Sequence, residues 1–255
     1  MGILYIIATP IGNLGDITLR ALEILKGVDL VACEDTRQTL KLLNHYNISK
    51  PLVSYFQHSK LSKIEYIAGQ LAEGKNVALV TDAGTPGISD PGGKLIEEIL
   101  RLLPSDEGRA GWGDEKKANT TPSQSPPQLR GRGESVKIIP IPGPNAAIAA
   151  LSVSGFPTDK FVFMGFPPHK KGRNKFFEEV ARAVYVVVFY ESTHRILKAM
   201  EHLKVLAPGR QIVAARELTK MFESVYRGTA GEILDKLNED KNNLKGEFVI
   251  IVKNE

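Results

Sequence analysis

Short apolar runs alternate with helical patterns over the first 150 residues. Apolar residues recur at helical spacing in segments such as ITLRALEILKG (17–27). Between these segments lie the runs that read as strands: ILYIIA (3–8), VDLVACE (28–34), LVSYFQ (52–57), NVALVTD (76–82) and VKIIP (136–140). This alternation is typical of a parallel sheet covered by helices. We expect Asp16 to cap the first helix and Gly27 to end it.

A second series of strands and helices begins near residue 161. Its strand-like runs are FVFMGF (161–166), VYVVVFY (184–190), QIVAARE (211–217), SVYRG (224–228) and EFVIIV (247–252). The last strands are joined by short turns, which favours a mixed sheet. We therefore predict a two-domain α/β protein. Its N-terminal domain (1–156) has a mostly parallel sheet, and its C-terminal domain (157–255) has a mixed sheet, both with flanking helices.

One segment interrupts the first series. Residues 104–135 contain one Leu, no Ile, Val or Phe, and many Gly, Pro and Ser residues. Such a segment buries too little apolar area to offset the entropy lost on ordering. We expect it to be a mobile, disordered insertion within a helix-to-strand connection.

The composition is that of an ordinary globular protein. The 255 residues are 42% hydrophobic and 24% charged, and their net charge of +4 permits an anionic partner without requiring one. Cys33 is the only cysteine, which excludes an internal disulfide, and the histidines lack the spacing of metal ligands. The apolar start is too short for a signal peptide or a membrane span. We expect a cytoplasmic protein with no metal and no membrane attachment.

The residues that directly follow the strands carry the candidate chemistry, because ligands of open α/β sheets bind beyond the carboxyl ends of the strands. The segment DAGTPGISDPGG (82–93) contains four glycines and two prolines. Glycine lets the backbone approach a ligand closely, and proline limits the order lost on binding. Asp82 and Asp90 suit a ligand with amino groups or a positive centre. The segment matches neither a P-loop nor G-x-G-x-x-G, which disfavours phosphate binding.

Two other strand ends are candidates. Gly12 lies in a permissive loop after the first strand. Glu34, Asp35 and Arg37 follow the second strand, where two carboxylates and a guanidinium can position a polar substrate. Acidic residues at the start of a helix can equally serve only the helix dipole. Cys33 points to the opposite face of the strand from Glu34, so we expect it in the core.

Three clusters lie in the second half of the chain. PPHKKGRNKFF (167–177) has four Lys or Arg residues, no acidic residue and aromatic neighbours, which suits a phosphodiester backbone. FYESTHR (189–195) and ARELTK (215–220) each place a carboxylate beside a basic residue at a strand end. Surface salt bridges alone would also explain these two clusters.

Six sequence motifs together resemble one family in their order and spacing: TPIGNLGDITLRALE, ACEDTR, DAGTPGISDPG, PIPGPNA, FYESTHR and ARELTK. The chain resembles the ribosomal RNA small subunit methyltransferase I family of the tetrapyrrole methylase superfamily, except over residues 104–135. The resemblance implies 2′-O-methylation of a cytidine ribose in the decoding region of 16S rRNA, with S-adenosylmethionine as the methyl donor. It also implies a homodimer that acts on the small ribosomal subunit, and a cofactor cleft between two α/β domains.

Carried over position by position, the resemblance implies that two loops hold the cofactor: Thr9, Pro10, Gly12, Asp82, Ala83, Gly84, Thr85, Pro86 and Gly87. A ribose hydroxyl is a poor nucleophile until its proton is removed, so a nearby carboxylate or histidine helps. Our candidates for substrate positioning and base catalysis are Glu34, Asp35 and Arg37, with His58 and Lys220 as weaker alternatives.

We expect the RNA to contact cations in the basic segment and beyond it: Lys170, Lys171, Arg173, Lys175, Arg195, Arg37 and Lys41. Two features depart from the family pattern. Asn145 stands where a smaller residue is expected, and residues 104–135 are additional. The alternatives are a methyltransferase acting on a tetrapyrrole ring and a non-catalytic RNA-binding assembly factor, since fold alone does not settle the substrate.

Overall fold

A computed structural model describes residues 1–55, 61–103 and 135–254. The predicted insertion, apart from Ser135, lies outside the described residues, as does His58. Within the described residues, no helix combines the length and apolar composition needed to cross a bilayer.

The chain divides into two compact units. Unit 1 comprises Met1–Pro10 and Leu14–Gly143, and unit 2 comprises Ile11–Asn13 and Pro144–Glu255. Residues 144–156, which the sequence pattern places in the predicted N-terminal domain, are grouped with unit 2. The reason is the helix over Ala146–Ser152, whose buried residues join a core cluster with the second sheet.

Unit 1 is built on a parallel sheet, as the strand–helix alternation predicts. Its described strands are β1 (Ile3–Ile7), β2 (Leu30–Cys33), β3 (Leu52–Ser54), β4 (Val77–Leu79) and β5 (Lys137–Ile141). They lie side by side in the order β3-β2-β4-β1-β5. The helices are α1 (Leu19–Gly27), α2 (Thr36–His45), α3 (Leu61–Ala72) and α4 (Gly92–Leu102). This order places β1, β2 and β4 at the centre, so the loops after these three strands share one edge.

Unit 2 contains a mixed sheet, which confirms the prediction for the C-terminal domain. Its described strands are β6 (Phe161–Phe163), β7 (Val186–Ser192), β8 (Ile212–Arg216), β9 (Ser224–Gly228) and β10 (Glu247–Val252). The order is β6-β7-β10-β8-β9, and only the β6–β7 pair is parallel among these strands. The helices are α5 (Ala146–Ser152), α6 (Arg173–Arg182), α7 (Ile196–Leu206) and α8 (Ala230–Glu239).

Each sheet has apolar cores on both faces. In unit 1, one cluster lies between the sheet and helices α3 and α4, and another lies under α1 and α2. Cys33 is fully buried in the second cluster, as expected from its position opposite Glu34. The cap of α1 differs from the prediction. Thr18 is the N-cap residue and accepts a hydrogen bond from the Ala21 N–H, whereas Asp16 ends a preceding 3-10 turn.

Candidate active site

The loops after β1 and β4 are joined by backbone hydrogen bonds. The Thr9 N–H donates to the Gly84 carbonyl at 2.9 Å, and the Gly84 N–H donates to the Thr9 carbonyl at 3.1 Å. The buried Thr9 hydroxyl also donates to the carbonyl of Thr81 at 3.0 Å. Gly84 has a φ of 86°, which is unfavourable for residues with a Cβ. These contacts fix the backbone of both loops before any ligand binds.

The Glu34 carboxylate lies at the end of β2, beside the end of β4. Its Oε2 atom accepts a hydrogen bond from the Thr81 hydroxyl at 3.1 Å. Partial burial raises the pKa of the Glu34 carboxyl, and the nearby negative charges of Asp82 and Asp90 raise it further. A carboxylate with a raised pKa accepts a proton more readily than an ordinary one. Glu34 therefore keeps its place among the candidate bases.

Asp35 has a different environment. Its carboxylate caps α2 by accepting the Arg37 N–H at 2.8 Å, and it pairs with the Arg37 guanidinium at 2.6 Å. These hydrogen bonds from Arg37 lower the pKa of Asp35 to about 2. A carboxylate with so low a pKa is a weak base. Asp35 therefore holds the Arg37 guanidinium and caps the start of α2.

Asp82 links the second and fourth strand ends. One of its carboxylate oxygens accepts a hydrogen bond from the Asp35 N–H at 3.1 Å. Burial raises the pKa of Asp82, and the negative charge of Asp35 adds to this effect. The structure thus brings Glu34, Asp35 and Asp82 together at one edge of the sheet, as the sequence predicts for residues that follow neighbouring parallel strands.

Asp90 holds the glycine-rich loop closed on itself. Its carboxylate accepts hydrogen bonds from the Gly87 N–H at 2.9 Å and from the Gly92 N–H at 2.7 Å. A Cβ on Gly92 would lie 2.8 Å from Asp90 Oδ1, so only glycine fits without a shift. Both carboxylate oxygens of Asp90 accept hydrogen bonds from the backbone of its own loop, so Asp90 organises this loop.

The other predicted cofactor residues are distributed as follows. Pro10 and Pro86 are buried, Ala83 is exposed, and Thr85 and Gly87 are partly exposed. Gly12 is exposed and belongs to the short segment counted with unit 2, where a Cβ would lie 2.4 Å from Lys220 Cγ. Thr81 was not singled out from the sequence. Its position directly after the run NVALV, at a strand end, is the signal that could have identified it.

A buried ion network lies at the end of β7 in unit 2. The Glu191 carboxylate is fully buried and pairs with Arg173 at 2.7 Å and with Arg195 at 3.0 Å. It also accepts the Ser192 N–H at 2.8 Å. The sequence predicts RNA contact for both arginines. Their guanidinium groups are instead engaged by Glu191, and Arg173 is only 9% exposed, so this assignment is corrected for Arg173.

The exposed cations of the basic segment are Lys170, Lys171 and Lys175. They remain available at the surface beside His169, which is also exposed. The aromatic neighbours noted in the sequence, Phe176 and Phe177, are buried in the core of unit 2 instead. They follow the turn into α6, where the helical spacing directs them to the core.

Lys220 is held in a second cluster of unit 2. Its ammonium group pairs with Glu217 at 2.8 Å and with Glu247 at 3.0 Å. Burial raises the pKa of Glu217, but the hydrogen bonds from Lys220 and the Glu247 N–H lower it overall. Lys220 is therefore an ion-pair partner and a poor candidate for a base. Within the described residues, no group of three or more His, Cys, Asp or Glu side chains is arranged to hold a metal ion.

Comparison with known proteins gives the chain a family. A model described as "Tetrapyrrole (Corrin/Porphyrin) Methylases" matches residues 3–104 and 127–234. The chain is 42% identical over 254 residues to a protein of Escherichia coli O157:H7 named ribosomal RNA small subunit methyltransferase I, covering 99% of this chain and 78% of that one. A protein of the same name in Bacillus subtilis is 39% identical, covering 99% of this chain and 75% of its own length.

Solved structures share the fold at low sequence identity. The methyltransferase CobJ gives a TM-score of 0.64 at 18% identity, covering 100% of this chain and 95% of that one. Diphthine synthase gives a TM-score of 0.64 at 15% identity, covering 99% of this chain and 90% of its own. At such low sequence identity, the structural similarity is evidence for the fold alone. Since the sequence matches extend over nearly the whole chain, this protein belongs to the ribosomal RNA small subunit methyltransferase I family of tetrapyrrole methylases.

Proposed function

We propose that this protein transfers a methyl group from S-adenosylmethionine to the ribose 2′-oxygen of a cytidine in the decoding region of 16S rRNA. The observation that carries the proposal is the 42% identity to a ribosomal RNA small subunit methyltransferase I over 99% of the chain. We assign the chemistry of this transfer to residues of unit 1. We also propose that the enzyme acts in the cytoplasm, as a homodimer, on the small ribosomal subunit.

The loops after β1 and β4 fit a ligand of this kind. Hydrogen bonds between Thr9 and Gly84 join the two loops, and the Asp90 carboxylate organises the second loop through the Gly87 and Gly92 N–H groups, so little order is lost on binding. Backbone carbonyls and carboxylates at this edge suit a positively charged centre and an amino group. S-adenosylmethionine, when bound, supplies an electrophilic methyl group on a charged sulfur. We assign its retention to Thr9, Pro10 and the segment 82–87.

We assign the general base to Glu34. Its raised pKa lets it take the proton of a ribose hydroxyl, and Thr81 orients it through a hydrogen bond at 3.1 Å. Proton removal of this kind contributes about 10²- to 10⁴-fold to a rate. The remaining acceleration depends on orientation, because the sugar oxygen must be held in line with the methyl group.

Arg37 is the candidate for substrate positioning. Its guanidinium is exposed while its Nε and Nη2 atoms are paired with Asp35, so its direction is fixed at the start of α2. A guanidinium held in this way suits contact with a phosphate. The exposed Lys170, Lys171 and Lys175 are assigned to other phosphates of the RNA.

One assay separates this proposal from its rivals. Purified protein is incubated with tritiated S-adenosylmethionine and one of two acceptors, which are unmethylated 30S subunits and uroporphyrinogen. The proposal predicts incorporation into 16S rRNA only. Incorporation into the porphyrinogen alone would favour a tetrapyrrole methyltransferase. RNA binding without incorporation into either acceptor would favour a non-catalytic assembly factor.

A further inference from the structure

We propose that the exposed ring of Phe166 stacks on an unpaired base of the RNA substrate, beside lysines that contact the phosphates. The inference rests on the proposed RNA methyltransferase function and adds a base contact to it. Phe166 lies just after β6 and is 51% exposed, although phenylalanine is among the residues most often buried.

The backbone that leads to Phe166 is held by hydrogen bonds to β7. The Met164 N–H donates to the Val188 carbonyl at 2.9 Å, and the Tyr190 N–H donates to the Gly165 carbonyl at 2.8 Å. These bonds continue the β6–β7 pairing beyond Phe163, the last residue of the strand. Phe166 therefore follows directly on an ordered sheet edge.

The ring is supported by other aromatic side chains. The Phe166 and Tyr190 ring centroids lie 5.2 Å apart with an interplanar angle of 56°. Tyr190 in turn contacts Phe163 edge-on at 5.0 Å. Contacts of this kind are favourable beyond the area they bury. They restrict the orientation of Phe166 while about half of the residue remains accessible.

The buried ion network holds the next two residues. Arg195 donates to the Pro167 carbonyl at 3.3 Å, and Arg173 donates to the Pro168 carbonyl at 3.5 Å. Both arginines are themselves paired with Glu191. Because this network fixes the start of the basic segment, a ligand that stacks on Phe166 orders little protein when it binds.

The surrounding charge favours a nucleic acid as the occupant. Residues 164–177 contain no Asp or Glu. Lys170, Lys171 and Lys175 are exposed close to Phe166 in sequence. An aromatic ring joined to cations is how proteins bind single-stranded RNA, with bases on the ring and phosphates on the cations. An apolar protein surface would bury the ring but would offer no negative charge to the lysines.

Binding to two labelled probes tests the inference. The first is an unstructured RNA of 12 nucleotides, and the second is a 12-unit chain of abasic tetrahydrofuran phosphates. We expect Phe166→Ala to weaken binding of the RNA about 5- to 150-fold, the range for loss of one base–aromatic stack. Binding of the abasic chain should not change, because it has no base. Phe166→Trp should restore RNA affinity.

Phe222→Ala is the matched control, since Phe222 is also an exposed phenylalanine of unit 2, 67% accessible. Its RNA affinity should equal that of the parent. The inference would be overturned if Phe166→Ala lost the same affinity for both probes, or if its RNA affinity were unchanged. A parent protein that binds the abasic chain as tightly as the RNA would also overturn it. Failure of the proposed function gives a different result, because methylation of 30S subunits would then be absent even where RNA binding depends on Phe166.

Discussion

The Thr81 hydroxyl donates a hydrogen bond to the Glu34 carboxylate at 3.1 Å, and this contact joins the ends of β2 and β4. The two strands are neighbours in the parallel sheet, so their carboxyl ends meet at one edge. Two carboxylates of this edge have opposite pKa shifts. Burial and neighbouring negative charge raise the pKa of Glu34, whereas hydrogen bonds from Arg37 lower the pKa of Asp35. In the proposed mechanism, this difference is the reason for assigning the base to Glu34 and the positioning of Arg37 to Asp35.

Glu34→Gln is expected to lower methyl transfer about 10²- to 10⁴-fold, because glutamine cannot take the ribose proton. Titration calorimetry should show unchanged affinity for S-adenosylmethionine, which separates chemistry from binding. In the parent, the rate should rise with pH through the raised pKa of Glu34 and then level off. A variant with parental turnover would exclude Glu34 as the base.

Glu34→Gln should lower the activity but raise the stability of the folded protein at neutral pH. A carboxyl whose pKa is raised by folding favours the folded state below its unfolded pKa of about 4.3, and this contribution is lost as the pH rises through the folded value. Glu34→Gln should therefore melt at a higher temperature than the parent at neutral pH. The difference should disappear below about pH 4.

Asp35→Asn should reduce turnover much less than Glu34→Gln, because a carboxylate with a pKa of about 2 has little basicity to lose. Asn is as good an N-cap as Asp, so α2 should remain capped. The stabilising charge of Asp35 is present above its unfolded pKa of about 3.9 and is lost as the pH falls toward about 2. The parent should thus melt above the variant at pH 7, with a difference that shrinks below about pH 4. A constant difference across this range would contradict the assignment.

Gly92→Ala should destabilise the protein and weaken cofactor binding. The added methyl would lie 2.8 Å from Asp90 Oδ1 and 3.0 Å from the Gly87 nitrogen, which disturbs the loop over residues 84–92. Gly69→Ala is the matched control, since Gly69 lies within α3 and its added methyl would meet nothing within 4 Å. We expect that control to gain about 0.5–1 kcal/mol in unfolding free energy. Equal behaviour of the two variants would argue against a preorganised loop.

Glu191→Gln should lower the unfolding free energy by about 3–5 kcal/mol, because it leaves two arginines near a buried site without their counter-charge. Glu73→Gln is the comparison, since Glu73 forms an exposed pair with Lys75 at 2.9 Å. That change should leave stability nearly unaltered. Chemical denaturation measures both. A small effect at Glu191 would mean that its network does not hold the start of the basic segment.

Much of the fold follows from local sequence pattern. The alternation of apolar runs and helical spacing predicts the parallel first sheet, and the short turns near the end predict the mixed second sheet. Cys33 is buried as expected, because side chains alternate along an extended strand. Glu34 and Asp82 meet at one edge because successive parallel strands end on the same side.

Other features depend on contacts between distant residues. The sequence predicts that Arg173 is a cation available to RNA. In the structure, Glu191, 18 residues further along the chain, holds Arg173 in a buried ion pair. Asp90 reads as a ligand contact, yet its carboxylate is satisfied by two backbone N–H groups of its own loop. The cap of α1 is two residues later than expected, since both Asp16 and Thr18 are good caps and the 3-10 turn decides between them.

Ribose-methylation mapping of 16S rRNA tests the central claim most directly. Small subunits from cells lacking this activity are incubated with S-adenosylmethionine and either the parent protein or Glu34→Gln, and each rRNA is then digested and mapped by mass spectrometry. We predict one new 2′-O-methylcytidine in the decoding region with the parent and almost none with the variant. Methylation on a base, methylation at an unrelated position, or equal modification by both proteins would contradict the proposed reaction at Glu34.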